Sequence, residues 1–117
     1  MWSLTRREAE HDRWLVADFG FWSWPLPVVG EYTQVRAEIA EVERDLQFAE
    51  KKPLLVWRGA MTGLRELLVN ATRDKSWADV HEIRWQDITR IAPESEELSL
   101  TIAEHCQYQF VINTEGS

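Results

Sequence analysis

The sequence predicts an α/β fold, a few parallel strands with flanking helices, and three observations carry that expectation. Residues 54–57, "LLVW", are a short apolar run after Pro53, followed by the glycine-punctuated turn "RGAMTG" and a helical period over 62–73. Strand, tight turn and helix in that order make half of a βαβ unit. "ADVHEIRW" at 78–85 then stands where the next parallel strand belongs. "YQFVIN" at 108–113 is rich in β-formers and supplies a third strand.

The remaining elements follow along the chain. Residues 3–15 read as a short polar helix with Ser3 or Thr5 as its cap. The stretch "DFGFWSWPLP" at 18–27 is extended at its end, because Pro25 and Pro27 push Trp24 and Leu26 out of the helical region. In an extended chain Phe19 and Phe21 share one side, and Trp22, Trp24 and Leu26 the other. Aromatics on two faces suit a segment wedged between two bodies. Residues 33–50 are the clearest helix, with Val35, Ile39, Val42 and Leu46 drawing one apolar stripe. Thr33 caps its start and Pro53 marks its end. The helix over 62–73 offers Leu64, Leu67, Leu68 and Ala71 as its core face. Residues 86–99 are polar and read as a loop with a helical turn, and 100–107 as a further short helix.

Composition narrows the function classes. The 117 residues suffice for one domain or for part of a larger protein. A net charge of −7 argues against a nucleic-acid partner, since phosphate backbones call for concentrated Lys and Arg. No apolar run is long enough for a membrane span, and the polar start "MWSLTRREAEHDRW" lacks the apolar core of a signal peptide. One cysteine, Cys106, forms no internal disulfide. His11, His81 and His105 are widely spaced, no two of them at helical ligand spacing, and no metal-ligand cluster stands out. The 7 tryptophans read either as core anchors or as platforms for stacking sugar rings.

Arg58–Gly59 is the first candidate site. An arginine at the carboxyl end of a buried strand stands where open α/β sheets bind ligands, and its guanidinium suits a phosphate. Gly59 would let the backbone approach, ahead of a helix N-terminus. The same arginine reads equally as a strand-end residue paired with one of the 20 acidic residues. Gly116–Ser117 repeat the phosphate-loop logic after the third strand. His105 and Cys106, adjacent on a helix, point about 100° apart and form no ready nucleophile–base pair, so Cys106 reads as structural. Asp79, Asp87 and the Glu94–Glu97 cluster provide no carboxylate pair for glycoside hydrolysis. Asn70-Ala71-Thr72 is a glycosylation sequon within a predicted helix.

The order "DFGFWSWPLP", helix, "KKPLLVWRG", "WADVHEIRW", "EHCQYQFVINTEG" resembles the family 90 glycosyltransferases. These include the fungal capsule-associated proteins and the animal protein O-glucosyltransferases. The resemblance covers roughly residues 17–117, with Trp57-Arg58-Gly59 and the His105-Cys106-Gln107-Tyr108 run to Glu115-Gly116 as its most specific pieces. It implies a fragment of a two-domain, Rossmann-like enzyme of GT-B type. Residues 1–30 would be an aromatic inter-domain segment, and 31–117 a partial donor-binding domain. It further implies a UDP-sugar donor, no metal or other cofactor, a glycan or protein hydroxyl as acceptor, and a Golgi or ER lumen setting. Arg58, Gly59, Gly116 and Ser117 would lie at the donor diphosphate, and Phe21 and Trp22 on the acceptor side. The family's catalytic Asp motif has no counterpart here, and Gln109 stands where lysine is frequent. The resemblance therefore implies a chain inactive alone, completed by the remainder of the transferase. The alternative is a non-enzymatic carbohydrate-binding or interaction fragment.

Overall fold

The computed structural model describes residues 2–3, 6–16, 28–87 and 89–114. Its centre is a three-stranded parallel sheet, with the central strand β3 (Lys52–Gly59) between β4 (Ala78–Glu82) and β7 (Tyr108–Val111). Leu55 faces Ala78 on one side and Phe110 on the other, and Gly59 faces Glu82 at the carboxyl end. The apolar run of β3 has a direct cause. Val56 is 0% and Trp57 5% exposed on opposite faces, so both sides of the strand are covered, as parallel strands require. The expected α/β class and the three parallel strands are therefore present.

The chain leaves β3 through the helix α2 (Arg65–Thr72) and returns as β4. It then crosses back past β3 through an antiparallel hairpin, β5 (Trp85–Asp87) with β6 (Arg90–Ile91), the short helix α3 (Pro93–Glu96) and a 3-10 turn at Ala103–Gln107. The two crossovers lie on opposite faces. Arg65 of α2 stacks on Trp57, whereas Leu98, in the second crossover, receives a hydrogen bond from Arg58. The direction of strand addition thus reverses at β3.

The hairpin replaces part of the loop expected over 86–99. Asp87 Oδ1 accepts from the Thr89 backbone N–H at 2.7 Å and from its hydroxyl at 2.8 Å, an Asx turn that reverses the chain. Trp85, expected to extend the second parallel strand, belongs to this hairpin. Buried Ile83, whose N–H donates to Gly59 O at 2.8 Å, is the last link to the parallel sheet.

The long helix α1 (Tyr32–Arg44) begins one residue before the expected position. Its cap is Glu31, not Thr33: the Glu31 carboxylate accepts from the Thr33 and Gln34 N–H groups at 2.9 and 3.1 Å. The helix stops well before Pro53, because Asp45 leaves helical geometry and Gln47 opens a separate 3-10 turn, Phe48–Glu50, closed by its own capping box. Val35 of the expected stripe is buried, and α1 packs on the 3-10 turn at Ala103–Gln107.

Two expectations need correction. Residues 3–15 are not a helix. Trp2–Ser3 (β1) pairs in parallel with Trp14–Leu15 (β2), and the charged residues between them fold as turns. The apolar residues of this stretch stand at its ends rather than at helical spacing, so strand pairing joins them. On α2 the buried residue is Thr72, whereas Leu64 and Leu67 are 66% and 65% exposed. The helix packs over β4, and this rotates its leucine stripe partly into solvent. Among the described residues no helix is long and apolar enough to cross a membrane.

Candidate functional site

The triplet Trp57-Arg58-Gly59 ends β3, and strand alternation divides it. Arg58 goes to one face, Trp57 and Gly59 to the other. On the first face the Arg58 side chain is 9% exposed. Its Nε donates to Leu98 O at 2.5 Å, Nη1 to Trp57 O at 3.0 Å and to Asp79 O at 2.7 Å, and Nη2 to Asp79 Oδ1 at 2.8 Å. Of the two readings open for Arg58, pairing with an acidic residue is what this geometry contains. Four of its five N–H groups are committed among the described residues.

Asp79 is the hub of that face. Its second oxygen, Oδ2, accepts from the Tyr108 hydroxyl at 2.6 Å, and His81 Nε2 lies 3.1 Å from Oδ1. Burial pushes the Asp79 carboxyl up. The Tyr108 and Arg58 hydrogen bonds, with the nearby charges of Arg58 and His81, outweigh burial and hold it below the usual range. Burial, and then the bond and charge of Asp79, push the Tyr108 phenol up. One carboxylate therefore ties β3, β4 and β7 together. In the sequence Asp79 has no carboxylate partner, because its partners are an arginine and a tyrosine from neighbouring strands.

The opposite face holds a different cation. The Arg65 guanidinium lies 5.7 Å from the centre of the Trp57 ring. Its Nη1 donates to Ala60 O at 3.0 Å, just beyond β3, and its Nε to Thr114 Oγ1 at 3.1 Å, just beyond β7. Arg65 thus bridges the carboxyl ends of the two strands. It forms no ion pair among the described residues. Gly59 makes this arrangement possible by leaving space. A Cβ there would lie 2.7 Å from Trp57 Cζ2, inside van der Waals contact. The backbone of Gly59 lacks a positive φ, so its role is steric.

Beside Arg58 and Gly59 lies a cavity of about 190 Å³, largely apolar, bounded by Ile83, Trp85, Ile91, Leu100 and His105. His105 Nδ1 is 2.7 Å from Thr101 O. A carbonyl only accepts, so Nδ1 carries the proton and Nε2 is the acceptor of the neutral ring. Cys106 is half-buried, and burial, then the Glu43 charge, push its thiol up. A thiol held protonated is a poor nucleophile, which agrees with a structural cysteine.

The structure brings Arg58 and Gly59 to the carboxyl edge of the sheet but on opposite faces. Gly116, Ser117, Phe21 and Trp22 lie outside the described residues. Arg65 and Thr114 carry no motif in the sequence that points to a site. Arg65 stands off the leucine stripe of its helix, so no local pattern marks it. Among the described residues no group of His, Cys, Asp and Glu could hold a metal ion. Trp57 is 5% exposed, an anchor rather than a platform, while Trp14 and Trp77 are 70% and 51% exposed. The sequon threonine Thr72 is buried, its hydroxyl donating to Leu68 O at 2.7 Å.

No curated protein and no solved structure gives a match to this chain. The model of glycosyl transferase family 90 matches residues 4–117. With almost the whole chain covered, this protein belongs to glycosyl transferase family 90.

Proposed function

We propose that the chain forms the donor side of a glycosyltransferase, holding a UDP-sugar with its diphosphate across the carboxyl ends of β3 and β7. Family membership supports a glycosyltransferase role, and with it a nucleotide-sugar donor and a glycan acceptor in general. The observation that carries the finer reading is the reversal of strand order at β3. In open α/β sheets ligands bind outside the carboxyl ends, where adjacent strands send their connections in opposite directions. Gly59 ends β3 at this edge, Arg58 borders it, and Gly116–Ser117 follow β7 in the sequence.

In the reaction, an acceptor hydroxyl attacks the anomeric carbon of the donor sugar. The new glycosidic C–O bond forms as the bond to the diphosphate oxygen breaks. The departing nucleoside diphosphate takes the electron pair, and the hydroxyl proton passes to a base. Cationic and N–H groups at the strand ends stabilise the charge that develops on the diphosphate. Phe21 and Trp22 are proposed on the acceptor side. Calorimetric titration of the chain with UDP and with uridine tests this reading. UDP is expected to bind and uridine to bind much more weakly, because the diphosphate supplies the charged contacts. A chain that does not bind UDP refutes the proposal.

A further inference from the structure

We infer that Arg65, and not Arg58, is the guanidinium that holds the donor diphosphate, an assignment that rests on the donor-side reading above. The two arginines differ in three respects visible in the structure. The first is charge. Arg58 is neutralised by Asp79 at 2.8 Å, whereas Arg65 has no carboxylate within ion-pair distance among the described residues. The second is donor capacity. Arg58 has one N–H left over, but Arg65 has three, since only Nε and one Nη1 hydrogen are committed among the described residues. A diphosphate is best met by more than one N–H of the same guanidinium, and Arg65 keeps both Nη2 hydrogens and one on Nη1, whereas Arg58 keeps a single one on Nη2.

The third is position. Arg65 joins Ala60, beyond β3, to Thr114, beyond β7, and so spans the crevice at the strand-order reversal. Arg58 is turned inward beneath the second crossover, against Leu98. The Arg65 side chain is also held before any ligand arrives, by the Trp57 ring beneath it and by two fixed acceptors. A guanidinium held in this way loses little rotamer freedom on binding. Trp57 and Gly59 thereby gain a role: the glycine makes room for the indole, and the indole supports Arg65.

The test compares Arg65→Ala, Arg65→Lys and Arg58→Met with the wild-type chain, titrating UDP, inorganic pyrophosphate and uridine, with a thermal melt for each protein. Arg65→Ala is expected to weaken UDP and pyrophosphate about tenfold or more, the scale of losing a charge-assisted bidentate contact, and to leave uridine unchanged. Arg65→Lys keeps the charge without the fork and falls between. Folded Arg58→Met binds UDP within about threefold of wild type, because that guanidinium is neutralised by Asp79 and turned inward, away from the ligand. Should Arg58→Met fail to fold, salt titration carries the comparison. The salt dependence of UDP affinity in the wild type is expected to flatten in Arg65→Ala. UDP bound equally by wild type and a well-folded Arg65→Ala overturns this assignment while leaving the donor-side reading in place. A wild-type chain that binds neither UDP nor pyrophosphate overturns both.

Discussion

Replacing Gly59 with alanine adds one methyl group against the Trp57 ring at the carboxyl end of β3. The new Cβ would lie 2.7 Å from Trp57 Cζ2 and 3.2 Å from Cε2 and Cη2. Carbon contacts normally settle at about 3.5–4.0 Å, so the ring must give way by roughly 1 Å. The indole is 5% exposed and has little free space to move into. Overpacking of this kind costs about 1–3 kcal/mol. The lower conformational entropy of alanine in the unfolded chain returns about 0.4–1 kcal/mol. A net loss of about 1–2 kcal/mol follows, and for a chain of this length that lowers Tm by roughly 4–8 °C. Circular dichroism melts measure it. A double-mutant cycle isolates its cause, because in a Trp57→Leu background the added methyl should cost little, giving a coupling of about 1 kcal/mol between the two sites. A Gly59→Ala melt within a degree of wild type would refute the steric argument. So would a cost that persists unchanged after Trp57 is truncated, since the methyl would then be meeting something else.

Tyr108→Phe removes a 2.6 Å hydrogen bond to the Asp79 carboxylate from a tyrosine 6% exposed, and should cost about 1–2 kcal/mol by urea unfolding. Asp79 also predicts a pH dependence. Its folded pKa lies below the usual 3.8, so its contribution is complete above that value and is lost as pH falls through the lower folded one. Stability measured from pH 6 down to 2 should fall in that acid window, and less steeply in Asp79→Asn. Cys106, with its thiol pushed up by burial and by Glu43, should react with iodoacetamide at pH 8 more slowly than free cysteine. Labelling as fast as the free amino acid would contradict the described environment.

The parts of the fold legible in the sequence are those whose signal is local. "LLVW", "ADVHEI" and "YQFV" are apolar runs of strand length, and their parallel pairing follows from the helix between the first two. The hairpin at Trp85–Ile91 is not legible in the sequence because its turn is made by the Asp87 side chain and not by a glycine. The leucine stripe of α2 misleads for another reason. A helix packed over one edge strand buries the residues that face that strand, whichever of its flanks is richer in leucine. Arg58 shows the limit most clearly. Its type and place at a strand end are visible in the sequence, but its partner depends on the register that sets Val56 opposite Asp79 on the adjoining strand. Arg65 depends on still more distant chain, because Thr114 reaches it only once β7 has docked.

That dependence on distant chain has a kinetic consequence. Leu55 meets Ala78 after a loop of 23 residues and Phe110 after one of 55. The longer closure carries about 0.8 kcal/mol more entropic cost, before the stiffness of the intervening elements is counted. The β3–α2–β4 unit is therefore the natural nucleus, and β7 zips on last. The edge between β3 and β7 is completed only at the end of folding, and in the native protein it is the seam expected to open first. Amide exchange should find β7 less protected than β4. A variant weakened in β7 would lose the diphosphate crevice while the β3–β4 pair still held.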